Sequence, residues 1–162
     1  MEKEIKPIRE LVATVYIVKD GKVLLNMNQK LQKFVPIGGH VEESELPSEA
    51  AIREAKEESG FDIELINLKS SFPDVNTSSG SSPGRIKLPQ IFGIGLDWIK
   101  PEHHHINLIY LAKIIGGEQL EKADDGMELR WFTKEEVEDL ETFENVKQEA
   151  IKSIELLKNL LD

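Results

Sequence analysis

"GGHVEESELPSEAAIREAKEESGF", residues 38–61, decides how this chain is read. Seven glutamates fall within it, behind an opening glycine pair. Like charges crowded into a short segment repel one another and cost stability unless something neutralises them. The glutamates therefore either form a solvated face or hold a cation. Ala50, Ala51 and Ala55 favour a helix over Pro47–Ser59, Pro47 is tolerated in a first turn, and Gly60 is a good terminator. On such a helix Glu54, Glu57 and Glu58 stand at i, i+3 and i+4 and share one face, with Arg53 four positions before Glu57 and within pairing reach. Carboxylates gathered within one turn suit a hard divalent cation such as Mg2+, which takes oxygen ligands. The glycines ahead of the helix let the backbone turn sharply and offer an unobstructed carbonyl as a further ligand.

The rest of the chain bounds the answer. A length of 162 residues with 40% apolar content is enough for one domain, 1–162, with a sizeable core. The formal charge of −10 argues against a nucleic-acid polymer as partner. A phosphate-bearing small molecule remains compatible, provided a cation or local basic residues intervene. With no cysteine, disulfides and thiolate metal sites are excluded. No apolar run is long enough to span a membrane, and "MEKEIKPIRE" does not read as a signal peptide, so a cytoplasmic location is the expectation.

Along the chain, "ELVATVYIVKDGKVLLNMN" (10–28) reads as a β-hairpin turning at Asp20-Gly21. "QKLQKFVPIGGH" (29–40) reads as a loop entering a short extended piece, and "FDIELINL" (61–68) alternates like a half-buried strand. Residues 70–84, "SSFPDVNTSSGSSPG", form a long polar loop, either mobile or functional. "INLIYLAKII" (106–115) is nearly continuously apolar, as in a buried strand, and "MELRWF" (127–132) is a further short strand. Thr133 and Glu136 make a capping box for a short helix. "FENVKQEAIKSIELLKNLLD" (143–162) is an amphipathic helix with Val146, Ala150, Ile154, Leu157 and Leu161 on one stripe. Strands and helices mix without regular βαβ alternation, which points to an α+β layered fold.

The spacing of the opening stretch is more specific than its charge. It fits G-x5-E-x7-R-E-U-x-E-E-x-G-U, with U apolar, through Gly39, Glu45, Arg53, Glu54, Ala55, Glu57, Glu58, Gly60 and Phe61. This resembles the signature of the Nudix hydrolase family (MutT-like). The departures are Ala55, where a larger aliphatic is more usual, and Ile37, where Pro often precedes the glycine pair; neither removes a chemical group. The resemblance implies an α/β/α sandwich with a mixed central sheet. It implies hydrolysis, with Mg2+ or Mn2+, of a nucleoside diphosphate linked to another moiety: a nucleoside triphosphate, a dinucleotide or an ADP-sugar. By the same pattern Glu54, Glu57 and Glu58 are metal ligands and Gly38 offers its carbonyl. Arg53 would orient a glutamate, Glu45 is structural together with Gly39 and Gly60, and Glu54 is the first candidate for general base.

Other residues carry weaker signals. His103, His104 and His105 precede a strand, and alternation along a strand stops all three from converging, so His104 stands only as an added candidate beside the site. Asp125 and Glu128 lie where some family members add an acidic ligand or base. Phe34, Tyr110, Trp98 and Trp131 could stack on a base, though such residues are more often core. Specificity is assigned to the loops 70–84 and 97–105. The partner expected is a nucleotide-type small molecule, with a homodimer left open. A non-catalytic nucleotide-binding sensor on the same fold is the competing function; a full set of box glutamates favours the enzyme, since a pure binder has no need of all of them.

Overall fold

The computed structural model describes residues 6–68, 87–122 and 128–161. The 70–84 loop and Asp125 lie outside these residues. The chain begins with β1 (Ile8–Lys19) and β2 (Lys22–Asn28), joined through Asp20 and Gly21, both at positive φ (50° and 72°) as a two-residue I′ turn requires. The extended piece expected before the box is two short strands, β3 (Lys33–Val35) and β4 (Ile37–His40). The box helix α1 spans Pro47–Ser59, the range its alanines and flanking residues predict. Glu49 reaches back to accept the Leu46 N–H at 2.8 Å, and Gly60 ends the helix in the left-handed conformation (φ 81°), which its lack of a Cβ permits.

Downstream lie β5 (Phe61–Leu65), β6 (Gly93–Lys100), β7 (His103–Gly117) and β8 (Leu129–Phe132), then α2 (Lys134–Asp139) and α3 (Glu144–Leu161). Thr133 and Glu136 form the expected capping box on α2, with Thr133 N–H donating to Glu136 Oε2 at 2.8 Å and Glu136 N–H to Thr133 Oγ1 at 3.2 Å. One expectation is corrected: residues 97–105 are not a loop. They belong to β6 and β7, a hairpin in which Trp98 pairs with His104 and Asp97 with His105, turning through Pro101 and Glu102. The sequence hides this strand because Gly93 and Gly95 depress strand propensity and its apolar residues Ile94, Leu96 and Trp98 face solvent.

The described strands form one mixed sheet ordered β3-β2-β1-β7-β5, with β4 on β1, β6 on β7 and β8 on β2. At its centre β1 and β7 run parallel, from Ile8 opposite His103 to Ile17 opposite Ala112. The period-2 alternation of β1 assigns its residues to two cores. Ala13, Val15 and Ile17 pack with Ala50, Ala51 and Ala55 of α1 on one face. Tyr16 and Val18 pack with Val137 of α2 and Ala150, Ile154 and Leu157 of α3 on the other. This is the α+β, three-layer sandwich expected. Burial of large side chains such as Leu24, Leu111 and Phe132, each at most 2% exposed, contributes about 1.5–3 kcal/mol apiece. The three fully buried alanines of α1 let its backbone lie close to the sheet, which fixes the height of the glutamates above β4. Among the described residues, no helix is long and apolar enough to cross a membrane.

Candidate active site

Arg53 organises the site. Its Nε donates to Glu45 Oε1 at 2.8 Å and its Nη2 to Glu45 Oε2 at 2.9 Å, a planar fork on a carboxylate. Nη1 donates to Glu54 Oε1 at 2.7 Å and to Glu57 Oε2 at 3.2 Å, and Nη2 also reaches the His40 carbonyl at 3.1 Å. One guanidinium thus ties the loop before α1, two glutamates of α1 and the end of β4. The hydrogen bond from Arg53 is the chief cause that holds the Glu45 carboxyl below the usual carboxylate range, and the same contacts push the Arg53 pKa up. The Glu45 carboxylate also accepts the Glu42 N–H at 3.1 Å, so it anchors the turn into the helix.

Glu54 lies against Gly39, and the fit depends on glycine: a Cβ there would run into the Glu54 carboxylate. Gly38 packs as tightly on the strand, where a Cβ would strike the Ala13 carbonyl and stand 2.8 Å from Thr14 Cα. Glu58, at the other edge of the patch, accepts the Asn26 Nδ2–H at 2.8 Å. Asn26 is 3% exposed and its Oδ1 meets no hydrogen-bond partner among the described residues. Asn26 escaped notice in the sequence, although a polar residue set among the apolar ones of "VLLNM" is the signal that could have found it. Beside the box, a shallow groove of about 410 Å³ is lined by Glu10, Leu11, His40, Val41, Glu42, Glu43 and Glu45.

Glu128 is exposed and its carbonyl accepts the Met27 N–H at 2.9 Å. His104 is 3% exposed, its ring 4.2 Å from that of Trp98, and neither ring nitrogen meets a hydrogen-bond partner among the described residues. Phe34 and Tyr110 are core residues, whereas Trp98 is 67% exposed.

Glu54, Glu57 and Glu58 share one face of α1 by their spacing, Glu54 lies against Gly39, and the buried Asn26 amide donates to Glu58; oxygen donors of this kind are those a divalent cation would take. A three-layer sandwich that carries this box on its first long helix defines a recognisable class. The NUDIX domain pattern matches residues 9–154, and the chain belongs to that family. It is 33% identical over 121 residues to the ADP-ribose pyrophosphatase of Methanocaldococcus jannaschii, covering 72% of this chain and 57% of that relative. A NUDIX family hydrolase from Clostridium perfringens superimposes with a TM-score of 0.78 at 34% identity, over 93% of this chain and 99% of that one. A MutT protein from Methanosarcina mazei Go1 shares the fold with a TM-score of 0.64 at 16% identity, over 94% and 96% of the two chains.

Proposed function

We propose that the chain is a divalent-cation-dependent pyrophosphohydrolase whose substrate is a nucleoside diphosphate linked to a sugar, of the ADP-ribose type. The observation that carries the reading is the single Arg53 guanidinium bonded at once to Glu45, Glu54 and Glu57. A merely solvated face has no use for such an arrangement, in which one cation fixes carboxylates that would otherwise splay into water. The sequence likeness to an ADP-ribose pyrophosphatase supports the substrate class over a nucleoside triphosphate.

Glu54, Glu57 and Glu58 would hold Mg2+ or Mn2+, with the Gly38 carbonyl as a further donor. When bound, the cation neutralises charge on the pyrophosphate and lowers the pKa of a coordinated water. The chain's own residues do the rest. Glu45 and Arg53 fix the rotamers of Glu54 and Glu57, so the carboxylates need no reorganisation as charge develops. Glu54 Oε1 is engaged by Arg53, so Oε2 is the oxygen that would either ligate the cation or accept a proton from the attacking water. Water adds to one phosphorus, the bridging oxygen leaves on the other, and the products are a nucleoside monophosphate and a sugar phosphate.

The test is a substrate panel of ADP-ribose, other nucleoside diphosphate sugars, dinucleoside polyphosphates and nucleoside triphosphates, each with Mg2+ and with Mn2+. ADP-ribose should give AMP and ribose phosphate, and excess EDTA should abolish turnover. Preference for triphosphates overturns the substrate class. Binding without turnover anywhere in the panel returns the sensor reading.

A further inference from the structure

We propose that Glu10, His40, His103 and His105 form a binding site for one divalent transition-metal ion of the Zn2+ type, separate from the carboxylates of α1. The placement follows from strand register. Glu10 on β1 stands opposite His105 on β7, and His103 lies two positions before His105, on the same face. On the far side of β1, His40 of β4 pairs with Val12, two positions beyond Glu10 and on that face again. Three strands thus aim four side chains at one point. Their donor atoms all lie within 4.8 Å of one another.

The distances suit a small ion. His103 Nε2 is 2.9 Å from His105 Nε2 and 2.9 Å from Glu10 Oε2, and His40 Nε2 is 3.3 Å from the same oxygen. With Zn–N bonds of about 2.0–2.1 Å, neighbouring ligand atoms of a tetrahedral site sit roughly 3.3 Å apart. Three imidazoles and one carboxylate select a transition ion over Mg2+, which prefers oxygen. Neutral imidazole is the ligating form. Asp97, opposite His105 on β6, adds negative charge next to the cluster and is itself held by the Asn107 amide at 2.9 Å. All four residues retain some exposure, so an ion can enter.

The two sites share β4 but not a face. Gly39 faces Glu54 on the α1 side, and its neighbour His40 projects to the other side of the sheet. His104 likewise points away from His103 and His105, so alternation along β7 removes one histidine of the run and β4 supplies the third. An ion here clips the start of β1 to β4 and β7. It also fixes the residue whose carbonyl Arg53 binds.

The untagged, EDTA-stripped full chain is titrated with Co2+ in saturating Mg2+, followed by visible absorption, and then with Zn2+ by calorimetry. The expected result is one equivalent with the intense absorption of a four-coordinate, imidazole-bound ion, displaced by Zn2+. His105→Ala and His40→Gln should each weaken binding at least about tenfold, while Glu57→Gln leaves it unchanged. His40 is 58% exposed at its side chain, so His40→Gln decides the matter should His105→Ala not fold. Weak six-coordinate absorption only, unchanged binding in the histidine variants, or binding lost in Glu57→Gln would each overturn the proposal. These outcomes are read without substrate and are independent of the hydrolase reading.

Discussion

Arg53 grips Glu45 through two parallel hydrogen bonds of 2.8 and 2.9 Å while a third nitrogen holds Glu54. Lysine is no substitute for such a fork, because its ammonium is a point charge that cannot serve two carboxylates in fixed planes. Arg53→Lys should therefore lower the rate about tenfold to a hundredfold. A double-mutant cycle of Arg53→Lys with Glu45→Gln, read by denaturant unfolding, should show a coupling of about 1–2 kcal/mol. Additive single effects would mean that the fork does not act as a unit.

The same pair predicts an acid response. Arg53 depresses the Glu45 pKa below its unfolded value, so the stability from this pair is present above the unfolded pKa. It is lost as pH falls through the folded pKa. Glu45→Gln should flatten the fall in melting temperature below about pH 5, and a parallel acid limb in variant and parent would refute the assignment.

How much of this was legible beforehand depends on what each residue contacts. The limits of α1 were readable because Pro47, the alanines and Gly60 act locally. The box spacing was readable because the chemistry demands fixed intervals on one helix. Asn26 was not, since its role depends on β2 passing near Glu58, thirty-two positions away. The Glu10–His40–His103–His105 cluster was not, because three strands must align before the residues meet. Strand β6 was missed because its apolar side chains are exposed and its pairing to β7, not its own pattern, makes it a strand.

Glu57→Gln and Glu49→Gln separate a working carboxylate from a solvated one. Both remove one charge from α1 with little change of shape. Glu49 caps the Leu46 N–H, a task that Gln performs equally well in a capping box. Its replacement should leave the rate nearly unchanged. Loss of the Glu57 charge should cost about tenfold to a hundredfold in rate at saturating Mg2+. Equal activity in the two variants would return the glutamates to a solvated face.

The two box glycines should fail differently. In Gly39→Ala the added methyl meets the end of the Glu54 side chain, which can swing aside. The fold should survive with a melting temperature close to the parent's, and the rate should fall because Glu54 is displaced. In Gly38→Ala the methyl meets the backbone of Ala13 and Thr14, which cannot yield without breaking the β1–β4 pairing. That variant should unfold at markedly lower temperature. Similar melting temperatures for both would contradict the geometry.

The last prediction lies on the opposite face of the sheet. Tyr16 is fully buried, and its hydroxyl donates to Glu149 Oε2 at 2.7 Å. Burial raises the Glu149 pKa above its ordinary value, with the Tyr16 hydrogen bond opposing but not cancelling that effect, and it raises the Tyr16 pKa as well. The folded state therefore binds a proton at Glu149 more tightly than the unfolded chain does. The stability from that proton is complete below the unfolded pKa and is lost as pH rises through the folded one. Glu149→Gln keeps an oxygen to accept the Tyr16 hydroxyl and removes the buried charge. It should raise the melting temperature at neutral pH and leave it little changed near about pH 4. Melting curves taken across roughly pH 4 to 8 decide this. A variant that is less stable at neutral pH would show that the ionised carboxylate contributes more through its bond to Tyr16 than its desolvation costs.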